Sequence, residues 1–263
     1  MRLPGASASA CFGPRSRHGR DSMNAVRWVV KKLPLRGCIT RVETTEPVVA
    51  LTFDDGPDPM FTPRLLDVLR EHDAKGTFFM VGEAASRHPE LVDEVASAGH
   101  AVGNHTWSHP AVSRTSWKET RAQIRRCQDA LHPSGIRLFR PPYLALSKVA
   151  VLSCRMLGYQ VIMANRDSGD WWNPDASDIA RTLITEAAPG DIILLHDGLA
   201  GFSGRSLPHP PLPDRSAMLA GLEEFLEQTA GRFRFVTVPE ILATGRPIRE
   251  KRYSRGPAPS GPS

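Results

Sequence analysis

Two adjacent carboxylates, Asp54 and Asp55, follow the run Val48-Val-Ala-Leu-Thr-Phe53 and precede Gly56-Pro57. The run is apolar or β-branched throughout and reads as a buried strand. Adjacent residues leaving a strand point in opposite directions. Neighbouring carboxylates also make each other harder to ionise. A pair placed at a strand end therefore suits a site that divides their work, one on a metal and the other free to act as a base. His105 and His109 stand four apart. On a helical turn both imidazoles share a face and can hold one ion. With one carboxylate of the pair they make three protein ligands and leave room for water, the arrangement of a hydrolytic metal site rather than a closed structural one. Imidazole and carboxylate without thiolate suit zinc, and also cobalt, nickel or manganese.

The elements that must position these groups are read from periodicity. Short apolar runs at 48–53, 76–81, 100–104, 136–139, 160–164, 191–195 and 233–236 predict strands. Between and after them, helical spacing predicts helices at 59–72, 89–98, 116–131, near 147–157, 176–187, 216–228 and a last turn at 239–242. Such alternation calls for a parallel sheet covered by helices. The expected fold is α/β: a distorted (β/α) barrel of about seven parallel strands wrapped by helices, as a single domain. In such folds the chemistry collects at the C-terminal strand ends. Those ends carry Asp54-Asp55, His105 to His109, Arg140-Pro-Pro-Tyr143, Asp167-Ser-Gly-Asp-Trp171 and His196-Asp197, so five strands converge on one polar rim.

Composition bounds what else the chain can be. It has 263 residues, 41% apolar and 23% charged, with a net charge of +5. Residues 1–41 hold nine Lys/Arg and one acid, and 246–263 hold five and one. The intervening 42–245 holds 19 basic against 26 acidic residues, a net of −7. The expected organisation is a basic, partly disordered N-terminal extension (1–41), one catalytic domain (42–245) and a basic disordered tail (246–263). An acidic domain does not hold a polyanion by charge, so no specific nucleic-acid partner is expected. No segment reaches the ~20 apolar residues that span a bilayer. The start lacks a convincing secretory signal, and the four cysteines form no C-x-x-C pair, so a cytoplasmic, reducing location is expected. Gly198 to Asp214, rich in Gly and Pro, is too long for a bare connection and reads as a functional or mobile loop.

The rim motifs resemble, in order, the five motifs of the polysaccharide deacetylase family (the NodB-homology domain, carbohydrate esterase family 4). They are Thr52-Phe-Asp-Asp-Gly-Pro57, Asn104-His-Thr-Trp-Ser-His-Pro110, Arg140-Pro-Pro-Tyr143, Asp167-Ser-Gly-Asp-Trp171 and Leu194-Leu-His-Asp197. The resemblance covers about 42–245. It implies a metal-dependent hydrolase that removes acetyl from N-acetylamino sugars, with an N-acetylated oligo- or polysaccharide as partner. It implies Asp55, His105 and His109 as metal ligands and Asp54 as general base. Arg140 would hold Asp54. Asp170 would pair with that arginine, with Asp167 as the alternative. The Tyr143 N–H would face the oxyanion, His196 would act as general acid, and Trp171 and Leu194 would line the acetyl pocket. One departure stands out: the family usually has glycine after the tyrosine, where this chain has Leu144.

Overall fold

The computed structural model describes residues 37–200 and 214–254. The strands, in chain order, are β1 (Cys38–Glu43), β2 (Val48–Asp54), β3 (Gly76–Met80), β4 (Ala101–Asn104), β5 (Gly135–Phe139), β6 (Gln160–Val161), β7 (Arg166–Asp167), β8 (Ile192–His196), β9 (Arg234–Phe235) and β10 (Arg246–Glu250). Seven of them lie side by side, all parallel, in the order β6-β5-β4-β3-β2-β8-β7, and β9 adds in parallel to the first residues of β2. Helices link most successive strands of this sheet, as in a distorted (β/α) barrel, while β7 follows β6 directly.

β2 is central and buried on both faces, which is why it reads as an unbroken apolar run. Its alternate residues serve two cores. Val49, Leu51 and Phe53 pack outward with Phe78, Ile193 and Leu195 against helix residues such as Leu65, Leu69 and Phe225. Val48 and Ala50 face inward with Phe79, Leu138, Ile192 and Leu194. The inward row then turns polar at Thr52 and Asp54, so the upper barrel interior is where charge is buried.

Four elements differ from the sequence reading. β1 and β10 pair antiparallel, Cys38 opposite Glu250 and Glu43 opposite Arg246. The expectation of disorder for 246–263 therefore fails at 246–250, and ordered structure reaches outside the 42–245 boundary at both ends. Charged residues facing solvent on a two-stranded edge read locally as a tail, and the pairing partner is some two hundred positions away. β1 also ties the β6 margin of the sheet to the residues that lead into β8: Met163 N–H donates to Ile39 O (2.7 Å) and Val42 N–H to Gly190 O (2.8 Å). The expected 160–164 strand is thus only two residues of ladder, and its remainder bonds to β1. A short helix, Gly82–Arg87, follows β3 unannounced by periodicity. Of the Gly198 to Asp214 loop, 201–213 lie outside the described residues.

Candidate active site

β2, β4, β5, β7 and β8 bring their C-terminal ends to one rim, as expected from the strand-end motifs. Asp54 and His196 are register partners on adjacent strands. Asp54, Asp55, His105, His109, Arg140, Asp170 and His196 are all buried there.

Asp54 is fixed by Arg140. The fully buried guanidinium donates from Nη1 to Asp54 Oδ1 (2.9 Å) and Thr52 Oγ1 (2.7 Å), and from Nη2 to Met163 O (3.1 Å). Its Cζ stacks 4.3 Å from the Phe79 ring centre. Thr52 Oγ1 passes its own hydrogen to Ile193 O. Burial lowers the Arg140 pKa and the Asp54 charge offsets that only in part; a guanidinium keeps its proton in either case. The Asp54 carboxylate is therefore oriented by a buried cation bonded directly to it.

Asp55, His105 and His109 form a cluster whose ligand atoms lie within 4.8 Å of one another. Asp55 Oδ1 is 3.3 Å from His105 Nε2 and 3.0 Å from His109 Nε2. The histidines do not share a helix face, contrary to the simplest reading of their spacing. They sit on a tight loop in which Thr106 (φ 71°) and His109 (φ 56°) adopt the left-handed region, as does Asp55 (φ 71°). Such backbone costs on the order of 1–3 kcal/mol per residue and persists only where surroundings enforce it. The enforcement is visible. Asn104 Oδ1 accepts the Thr106 N–H, Thr106 Oγ1 accepts the His109 N–H, and Gln123 Oε1 accepts both Trp107 and Ser108 N–H groups. Gly82 and Glu83 N–H groups donate to Thr106 O and Trp107 O. Two helices thus grip the loop that aims the imidazoles.

The donor set fits a cation. His105 Nδ1 donates to Arg140 O (2.8 Å), which leaves the neutral ring's Nε2 as a lone pair facing a carboxylate oxygen. His109 Nδ1 contacts Tyr143 Oη at 3.1 Å. Asp55 Oδ1, buried, has no hydrogen-bond partner among the described residues. Two imidazole nitrogens and a carboxylate oxygen that converge this closely suit a positive ion. Ring nitrogens tied to a carbonyl and a hydroxyl are the usual outer support of metal-binding histidines. Burial would raise the Asp55 pKa, but His109 and His105 hold it well below the ordinary carboxylate range. Arg140 serves this cluster as well as Asp54, through its carbonyl on His105.

The acid side departs from the expected pairing. Asp170 does not meet Arg140, and Asp167 is exposed on β7. Asp170 instead accepts from His196: the backbone N–H reaches Oδ2 (3.0 Å) and ring Nδ1 reaches Oδ1 (3.1 Å). Ser168 Oγ donates to Oδ1 at 2.6 Å. Burial would lower the His196 pKa, but the Asp170 charge and hydrogen bond push it up to about 9. His196 is thus an imidazolium near neutrality, with Nε2 as its remaining N–H.

Tyr143 sits at φ 58° and Leu144 at φ 47°, so Leu144 occupies a conformation that favours glycine. Leu194 is buried two residues before His196 on the same strand face, and Trp171 is partly exposed after Asp170. Ser168, Arg215 and Asp197 were given no role by sequence reasoning. Asp197 packs under the Asp55-Gly56 turn, where a Cβ on Gly56 would come 2.2 Å from its carboxylate, and it accepts from Thr62 Oγ1 (2.6 Å). Burial raises its pKa to about 7.

Residues 41–162 match the family described as polysaccharide deacetylase. A peptidoglycan-N-acetylglucosamine deacetylase of Bacillus cereus is 36% identical over 218 residues, 81% of this chain and 96% of that protein. A chitooligosaccharide deacetylase of Azorhizobium caulinodans is 34% identical over 80% of this chain and 95% of its own length. The crystal structure of the Bc1960 peptidoglycan N-acetylglucosamine deacetylase superposes with a TM-score of 0.71 at 29% identity, covering 84% of this chain and 98% of that one. With fold, rim and relatives in agreement, the chain belongs to the polysaccharide deacetylase family.

Proposed function

We propose that this protein is a metal-dependent hydrolase that removes acetyl groups from N-acetylglucosamine units of an oligo- or polysaccharide. The observation that carries the reading is the convergence of His105 and His109 Nε2 on an unbonded Asp55 oxygen, beside an Asp54–His196 pair in strand register. The relatives named above, which act on peptidoglycan N-acetylglucosamine and on chitooligosaccharide, support the sugar. Asp55, His105 and His109 would hold the ion, and two imidazoles with a carboxylate favour zinc, with cobalt, nickel or manganese as alternatives.

A divalent cation held there supplies Lewis-acid chemistry at the amide carbonyl. The chain's own residues do the rest. Asp54, bonded to Arg140, takes a proton from the water that attacks the carbonyl carbon. His196, charged against Asp170, gives its Nε2 proton to the leaving nitrogen as the C–N bond breaks. Acetate and a free amino sugar result, and the proton taken and the proton given balance over the cycle. The Tyr143 turn, strained and tied to His109 through its hydroxyl, shapes the wall beside the cluster, and Leu194 and Trp171 are the apolar groups available to the acetyl methyl. Zinc-, cobalt-, nickel- and manganese-loaded protein assayed for acetate release from N-acetylglucosamine oligomers and from peptidoglycan tests metal and sugar together. The reading fails if metal-loaded protein frees no acetate from either.

A further inference from the structure

Arg215 precedes the helix Ser216–Gln228 as its N-cap residue. It is 1% exposed, and among the described residues none of its three guanidinium nitrogens has a hydrogen-bond partner. A buried cation without hydrogen bonds is among the most costly groups a fold can carry. Its ion-pair partner is Asp170, with Nη1 3.7 Å from Oδ2. Burial pushes the Arg215 pKa down and the Asp170 charge pushes it back. The Asp170 oxygens are otherwise taken, Oδ1 by Ser168 and the His196 ring, Oδ2 by the His196 N–H. The carboxylate is thus pinned on one side by His196 and faced on the other by a charge that does not bond to it.

We propose that Arg215 is a positioning residue of the deacetylation: its buried charge keeps Asp170 ionised and turned toward His196, and so fixes the ring that donates the proton. This rests on the reading of His196 as proton donor. The charged and titratable groups around His196 are Asp170, Asp54, Asp55, Asp167 and its neighbour Asp197, with Arg140 bonded to Asp54 and Arg215 behind Asp170. Asp170, Asp55 and Asp54 favour the proton on the imidazole. Arg215 is the cation that faces Asp170 and moderates its pull, so that the ring still releases its proton to the leaving amine. Removing that cation raises the pKa of His196, and a weaker acid is a poorer donor.

The test uses metal-loaded Arg215→Gln and Arg215→Lys, each alone and combined with Asp170→Asn. Circular dichroism and metal content are checked on each. R215Q is expected to lower kcat about tenfold or more while KM changes less than about threefold. The alkaline limb of kcat/KM, and the titration of the His196 ring followed by NMR, move to higher pH. R215K recovers most of the loss. In the D170N background R215Q costs nothing further, because the two act through one group. A folded R215Q with wild-type kcat and limb, or one whose loss multiplies in full with that of D170N, overturns the proposal. If R215Q does not fold, the cycle is run with R215K, whose smaller loss of about two- to fivefold must vanish in D170N; persistence overturns it equally. Wild-type acetate release and its loss in His196→Asn are measured alongside. Failure of those two sinks the reading of His196, whereas an inert R215Q beside an active wild type sinks only the role of Arg215.

Discussion

The two sides of the rim use the same pair of residue types to opposite ends. On the side proposed for the base, Arg140 bonds Asp54 directly at 2.9 Å. On the side proposed for the acid, Asp170 bonds His196, and Arg215 stands behind Asp170 at 3.7 Å. The acid side is the base side with one link added. That link reverses the outcome. A cation touching a carboxylate keeps a proton off it, whereas a carboxylate touching an imidazole keeps a proton on it. An arginine set directly against His196 would discharge the donor; one step back, it steadies Asp170 and tempers its pull.

The comparison breaks most clearly at its inner members. Asp54→Asn should lower kcat by about 10²–10⁴ with metal content unchanged, since only the proton acceptor is lost; normal turnover would remove Asp54 from the chemistry. Asp170→Asn should move the alkaline limb of kcat/KM downward, because the charge that raises the His196 pKa to about 9 is gone. A limb that stays in place would mean that Asp170 does not set this proton. The same shift enters stability. His196 has a raised folded pKa, so its contribution is complete below about pH 6.5 and is lost as pH rises through about 9. Denaturation of wild type and D170N at pH 6 and pH 10 should therefore differ more at the lower pH.

The base side should be the more sensitive in stability. Arg140→Met leaves Asp54 buried without its cation and should cost about 3–5 kcal/mol of unfolding free energy, read by urea denaturation at pH 7. Thr52→Val removes only one acceptor of the Arg140 Nη1 and should cost about 1–2 kcal/mol. Equal losses for the two would show that Arg140 is not anchored through Asp54.

Much of this rim was legible before the structure. The strand ends could be read because parallel strands buried on both faces give unbroken apolar runs, and because chemistry in such folds has one address. Helix 216–228 was bounded to the residue by its apolar spacing. The remainder failed for physical reasons. β1 and β10 meet across some two hundred residues, and charged residues interrupt each, so no local pattern marks them. The segment from His105 to His109 could be assigned a shared ion but not its left-handed turns, which depend on Gln123 and Thr106 bonding to it. The family resemblance implies an Asp170–Arg140 pair; in the fold Asp170 lies beyond β7, beside the end of β8, where His196 takes both of its oxygens. Arg215 follows a Pro-rich stretch at a helix start and has no periodic or motif signal at all.

The central claim is that the Asp55–His105–His109 cluster makes this chain a metal-dependent sugar deacetylase. The most direct measurement is acetate release from N-acetylglucosamine oligomers by purified protein, before and after chelation and after zinc is returned, with His105→Ala as the parallel sample. The account predicts one acetate per amine formed, activity lost on chelation and regained with zinc, and neither metal retention nor turnover in H105A. Metal-replete wild type that yields no acetate, or turnover that survives complete metal removal, would contradict it.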